Sequence, residues 1–486
     1  MKQPDVLVFM SDQHSPDFSG WGKVSVDTPN LSRLRSDGLS FENAYTSCPL
    51  CVPARMSMMS GLLPSRTGVF TNEDTISDIT PCFTHLLVEA GYETVLIGRM
   101  HFVGRDQRHG FTKRLAPDMT PVTWNRPWEK LREERGKLAP TYGEPFCTSV
   151  VGAGESPVIN YDKMVVQTAL NYLSEEHKKP QFIVVGTYGP HFPYVGRPDL
   201  YMKYLERVKT PNFFEKMPDY LEGLELLDKR IKRDVPEAVV KGALAAYCSL
   251  IEIMDNQTGQ VRRSFEAFTK KRDREHVFCY LSDHGDQAGE RRIFGKQTFF
   301  EKSARIPMIF EGSRIKNGEL IQEPVSILDI GPTLCSMAGI TYDIKTDGKD
   351  LSPCLNGEAS PDPDRVVISQ FMESLDQMYY YGYMLRYRQY KYISYHRYED
   401  KEMLFDLAQD PEEAVNIAKE HPEFIQWLSG RTNSICIAEQ VEKEQKEHAR
   451  NATLFRKYEE AIGPDDSERW NQNPPNARGD LVIYAG

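Results

Sequence analysis

The chain has 486 residues, and 59 Lys+Arg against 70 Asp+Glu leave a formal net charge of −11. With 40% hydrophobic and 27% charged residues, the composition is that of a folded globular protein and excludes a disordered, collagenous or coiled-coil chain. The acidic balance argues against nucleic-acid and anionic-membrane partners, which need a basic field.

The first apolar run, VLVFM, ends at Ser11-Asp12 and is too short for a signal-peptide core or a membrane span, so a cytoplasmic protein is expected. The nine cysteines form no even, closely spaced framework, which fits reduced thiols in that compartment. Short apolar runs at 5–10, 92–98, 181–187, 276–281 and 306–310 read as strands. Four of them deliver a chemically capable group at or just past the carboxyl end: Asp12, His101, His191 and Asp283. Helical patterns at 81–90, 161–178 and 237–263 lie between them. This alternation predicts an α/β fold with a mostly parallel central sheet flanked by helices, in which ligands bind outside the carboxyl ends of the strands.

Residues 356–365 (NGEASPDPDR) read as a linker between a catalytic α/β domain, 1–360, and a small antiparallel α+β domain, 361–430. The small domain is read from strands at 366–371, 383–395 and 402–407 and a helix opening at 422–428. The remainder, 431–486, is a charged helical tail over 432–462 and a Pro/Asn-rich arm that ends in an apolar strand at 480–484. An apolar end on an arm must be buried, against its own chain or against a neighbouring subunit, so a homo-oligomer is one expected outcome.

Cys48-Pro-Leu-Cys51 admits two readings from its residues alone. A C-x-x-C pair in an α/β chain can be a thioredoxin-like redox site, but the flanking prolines at 49 and 53 are wrong for it. Buried thiols are the other reading.

Cys51-x-Pro53-x-Arg55 resembles the C-x-P-S/A-R signature of type I sulfatases, members of the alkaline-phosphatase-like superfamily whose cysteine is converted to a formylglycine aldehyde by a separate maturation enzyme. The stretch from Gly91 to His101, GYETVLIGRMH, is similar to the second signature of that family. Asp12, Pro190-His191-x-Pro193, Ser282-Asp283-His284-Gly285-Asp286 and Lys296 continue the resemblance, which runs from residue 5 to about 420. Taken singly, such residues are turn or cap residues; together, at successive strand ends, they are not.

The resemblance implies a sulfuric ester hydrolase with one divalent cation, Ca2+ foremost and Mg2+ or Mn2+ as alternatives, held by Asp12, Gln13, modified Cys51, Asp283 and His284. A hard-oxygen site with an imidazole suits such an ion. It also implies that a hydroxyl of the hydrated aldehyde attacks sulfur, with Arg55 and Arg99 as electrostatic clamps, His191 and Lys296 at the leaving oxygen, and His101 as the base that resets the site. Gln13 stands where the family commonly has a second acid, and Arg99 stands where it has a lysine, a fork in place of a point charge.

Within the family, GRMHFVGRDQRHGF at 98–111 is most similar to the choline sulfatase branch. A quaternary ammonium is bound by aromatic faces and an acid, which the resemblance assigns to Trp124, Trp128 and Glu373. That branch usually reads H-P-H-D-P-Y where this chain has GPHFPY at 189–194, so another small or sugar sulfate stands beside choline sulfate. The rival functions are a phosphonate or phosphate ester hydrolase of the same superfamily and an unmodified sulfate-ester binding protein.

Overall fold

The central strand, Asp5–Asp12, is buried along its whole length, as a parallel strand covered on both faces must be. Its side chains alternate between two cores: Leu7 and Phe9 enter one apolar cluster, while Val6, Val8 and Met10 enter the other. This computed structural model describes residues 3–120, 146–214, 216–232, 234–375, 378–432, 435, 437–462 and 481–482.

Eight strands form the main sheet among these residues, in the spatial order Glu319–Ile321, Leu39–Phe41, Met308–Gly312, His276–Ser282, Asp5–Asp12, Gln181–Pro190, Glu93–Gly98 and Lys113–Ala116. Neighbours from His276–Ser282 to Lys113–Ala116 are parallel; Met308–Gly312 runs antiparallel to both strands beside it. Helices Pro157–Ser174 and Glu237–Lys271 cover one face, contributing Val165, Ala169, Ala246 and Ile251 to the cluster that holds Leu7. The expected α/β architecture is present.

A four-stranded antiparallel sheet follows toward the C-terminus: Val366–Leu375, Met378–Tyr387, Tyr390–Tyr395 and Met403–Asp406. It packs Phe371, Tyr395 and Met403 into one cluster with Tyr45, Cys48 and Leu50, directly beneath the Cys51 segment. The stretch 356–365 is tied down at its end, where both Nη atoms of Arg365 donate to Asp329 at 2.6 and 2.7 Å.

Two sequence expectations are corrected here. The 383–395 segment is a hairpin, not one strand: the chain reverses at Arg388, which takes φ +48 without a glycine to signal the turn. The 306–310 run is split by Pro307, which has no N–H to give to a ladder, so Arg305–Ile306 pairs with Ala44–Tyr45 while Met308–Gly312 joins the main sheet.

The helix Ala438–Ile462 docks through Val441 against Phe70, and Gln445 Nε2 donates to the Gly68 carbonyl at 2.7 Å. The arm's Leu481–Val482 pairs antiparallel with Ala153 and Gly154 of the same chain. Among the described residues, no helix is long and apolar enough to cross a membrane.

Candidate active site

Parallel register brings the first two acids together. Ser11 lies opposite Ser282, so the residues that follow, Asp12 and Asp283, leave adjacent strands at one level. Gln13 then turns with φ +69, and its N–H donates to Asp283 Oδ1 at 3.1 Å.

Cys51 is the first residue of the helix Cys51–Ser60, whose free second N–H, that of Val52, is taken by Asn72 Oδ1 at 3.0 Å. The Cys51 sulfur lies 3.2 Å from His284 Nε2, 3.1 Å from Lys296 Nζ and 3.9 Å from Asp12 Oδ1. One turn along the helix, Arg55 lies on the same side and reaches both acids, Nε to Asp283 Oδ2 at 2.9 Å and Nη2 to Asp12 Oδ2 at 3.0 Å.

Ligand atoms of Asp12, Cys51, Asp283 and His284, all buried, lie within 4.8 Å of one another and could hold a metal ion. The donor set fits a divalent cation. His284 Nδ1 bonds the Gly285 carbonyl at 3.0 Å, which leaves the Nε2 lone pair facing the cluster. Gln13 stands at the edge: its amide oxygen accepts from Lys296 Nζ at 2.9 Å, and its amide nitrogen donates to Asp286 Oδ2 at 2.6 Å.

The strand Glu93–Gly98 delivers Arg99 and His101. A Cβ at Gly186 would stand 1.9 Å from the Arg99 carbonyl oxygen, so a glycine is needed where the two chains meet. Arg99 is fully engaged: Nε to Asp12 Oδ2 at 2.6 Å, Nη1 to Asp118 at 3.3 Å and Thr120 at 3.0 Å, and Nη2 to His101 Nδ1 at 3.0 Å, with its guanidinium 4.3 Å from the Tyr188 ring centroid. A guanidinium can only donate, so neutral His101 carries its hydrogen on Nε2. Asp118 also accepts the His101 backbone N–H at 2.8 Å.

His191 follows the strand Gln181–Pro190. Its Nδ1 bonds the Phe192 carbonyl at 2.7 Å, and its Nε2 meets Lys296 Nζ at 2.6 Å. Lys296 thereby touches Gln13, Cys51 and His191 at once.

Electrostatics follow from burial against charge. Burial opposes ionisation of Asp12, but the charges of Arg99, Arg55 and Lys296 hold its carboxyl well below the usual range. Burial, reinforced by Lys296, pushes His284 down to about 4 and His191 well below its ordinary value. His101 is lowered by burial and by the Arg99 charge. All three imidazoles are therefore neutral, the form that binds metal or accepts a proton.

The sequence candidates Asp12, Gln13, Cys51, Arg55, Arg99, His101, His191, Asp283, His284 and Lys296 meet at one place. Glu373 lies on the C-terminal sheet, its carboxylate bonded to Arg230. Trp124 and Trp128 lie outside the described residues. Asn72, Asp162, Tyr188 and Arg230 support the site without a motif to announce them, and Asp118 supports it through its bonds to Arg99 and to the His101 backbone. His14 bonds Tyr280 Oη at 2.7 Å and the Phe18 carbonyl at 3.0 Å, both away from the cluster.

The family model described as Sulfatase matches residues 4–340, more than half of the chain. The chain belongs to the sulfatase family. A second model, N-sulphoglucosamine sulphohydrolase, C-terminal, matches residues 289–435 of this sulfatase. It is 34% identical over 438 residues to the choline-sulfatase of Rhizobium meliloti (strain 1021), covering 86% of this chain and 83% of that protein. It is 26% identical over 505 residues to arylsulfatase K of Homo sapiens, covering 97% and 90% of the two chains. Among solved structures, a 2-O GAG sulfatase superposes with a TM-score of 0.65 at 22% identity, covering 100% of this chain and 99% of that one. A phosphonate monoester hydrolase from Silicibacter pomeroyi superposes with a TM-score of 0.69 at 20% identity, covering 88% and 94%. This sulfatase is accordingly a sulfuric ester hydrolase of alkaline-phosphatase-like fold.

Proposed function

We propose that this sulfatase hydrolyses a sulfate monoester, choline sulfate or another small or sugar sulfate, with Cys51 converted to formylglycine as nucleophile. In this reading Asp12, Asp283, His284 and the modified residue 51 hold one divalent cation, calcium foremost with magnesium or manganese as alternatives, and Gln13 stands as a weaker ligand. The cation, when bound, polarises the attacking oxygen and the sulfuryl oxygens.

The chain's own residues divide the remaining tasks. Arg55 balances the two acids and holds them at a fixed spacing. Lys296 sits against the nucleophile atom and donates to His191 Nε2, so the two side chains are held together facing the leaving oxygen, where the departing group takes its proton. Arg99 holds His101 through Nδ1, and proton uptake by His101 waits on release of that atom. The maturation enzyme and any homo-oligomer belong to the same proposal, as does a cytoplasmic location, which eight buried free thiols among the described residues favour.

The observation that carries the reading is the approach of His284 Nε2 and Lys296 Nζ to Cys51 Sγ at 3.2 and 3.1 Å. Intact-mass measurement of the peptide bearing residue 51, together with aryl sulfate turnover, tests it. Because phosphonate monoester hydrolases share the fold, an aryl phosphonate monoester is the control. Turnover of the sulfate is expected to exceed that of the phosphonate, and the reverse order gives the assignment to the rival. An unmodified cysteine together with no turnover supports a binding protein instead.

A further inference from the structure

Glu373, the acid that the sequence offers to a quaternary ammonium, is already paired. Its carboxylate is engaged by Nη2 of Arg230, a residue only 4% exposed. Arg230 Nη1 donates to Gln297 Oε1 at 2.5 Å, and Gln297 directly follows Lys296, whose Nζ stands 3.1 Å from the Cys51 sulfur. The Gln297 backbone N–H is held at 3.0 Å by the carbonyl of Pro49, two residues before Cys51. From the other side, Met372, next to Glu373, shares an apolar cluster with Phe70, and Asn72, two residues beyond, caps the Val52 N–H. The Arg230–Glu373 pair thus closes a ring of contacts that starts and ends beside Cys51.

Two features of this pair bear on the substrate. A cationic remainder such as choline would meet a fixed guanidinium and an acid whose charge is cancelled, the opposite of what a quaternary ammonium needs. The Arg230 Nε–H is moreover buried with no acceptor among the described residues, and a buried donor without a partner is a group that a bound anion would satisfy.

The structure assigns Arg230 as a specificity-determining residue, selecting sulfate esters whose remainder carries a second anionic group, a carboxylate foremost, over esters with a cationic remainder. A planar fork with one free N–H beside an engaged one suits a carboxylate. The assignment rests on the sulfatase reading and narrows its substrate.

Three probes test it on the full-length, metal-loaded enzyme: 4-sulfooxybenzoate, its methyl ester, and choline sulfate. The wild type is expected to favour the carboxylate over the methyl ester by roughly tenfold in kcat/KM. Arg230→Met is expected to bring that ratio near one and to raise kcat/KM for choline sulfate. Arg230→Lys, which keeps the charge but not the fork, is expected to fall between, and it replaces the methionine variant if that one melts early. A carboxylate-to-ester ratio unchanged in both variants, or a wild type that prefers choline sulfate to 4-sulfooxybenzoate, overturns the assignment. Turnover of the uncharged methyl ester reports sulfatase activity separately, so a wild type inactive on all three probes strikes the sulfatase reading itself, and the assignment falls with it.

Discussion

Arg55 Nε stands 2.9 Å from Asp283 Oδ2, with neither side chain exposed. The same guanidinium also reaches Asp12, which Arg99 pairs as well, so two cations balance the two buried acids. Removing a single partner from such a pair leaves an uncompensated buried charge, which costs about 3–5 kcal/mol. Arg55→Ala is therefore expected to lower the thermal midpoint strongly, and Arg55→Lys to lower it less, because lysine keeps the charge but loses the fork that reaches both acids with separate donors. A melting temperature equal to wild type in the alanine variant would contradict this role.

Cys48 and Cys51 are both buried, but only the Cys51 sulfur faces charged groups. Cys48 packs among Tyr45, Leu50, Phe299 and Phe300, and burial, with Cys51 beside it, pushes its thiol well up. Cys51→Ala is expected to abolish aryl sulfate hydrolysis. Cys48→Ala is expected to keep the modification at residue 51 and most activity, at a packing cost of roughly 1 kcal/mol. Turnover assays with intact mass on both variants separate the two cysteines, and the reverse pattern sinks the assignment.

The strand ends were legible because a doubly covered parallel strand is an unbroken apolar run, and a polar residue just past such a run stands out, as Asp12 does after VLVFM. The signatures around Cys51 and His101 supplied the rest of the first set. Arg230 and Asp162 were not legible, since each acts through a contact 26 or more positions away, on Glu373, Gln297, Tyr188 or Gly189, and carries no local pattern. The hairpin at Arg388 was hidden for a related reason: strand alternation continues through a turn that uses neither glycine nor asparagine.

Asp12, Cys51, Asp283 and His284 place four ligand atoms within 4.8 Å. Chelation is expected to remove sulfatase turnover, and readdition of a divalent cation to restore it. Asp283→Asn should cut metal content, measured by elemental analysis, far more than Gln13→Ala, because the Gln13 amide oxygen already accepts from Lys296. Full turnover by metal-free protein would end the single-cation reading.

Asp162 gives a pH-dependent prediction. It lies in the helix Pro157–Ser174 and accepts the N–H groups of Tyr188 at 2.6 Å and Gly189 at 2.8 Å, in the stretch that delivers His191. Burial pushes its carboxyl up to about 7 from 3.8, against the two backbone donors that favour the charged form. The folded chain therefore holds this proton more tightly than the unfolded chain does. The stabilisation linked to it is fully present below 3.8 and is lost as pH rises to about 7. Asp162→Asn is neutral at every pH and removes that slope. Its amide nitrogen cannot accept the second backbone N–H, a loss of about 1–2 kcal/mol against the wild type in acid. The wild type's lead over the variant, read from denaturant midpoints at about pH 5 and about pH 8, is expected to shrink and then reverse as pH rises. A gap of equal size at both ends would show that Asp162 stays ionised across the range, with its charge carried by the two backbone donors.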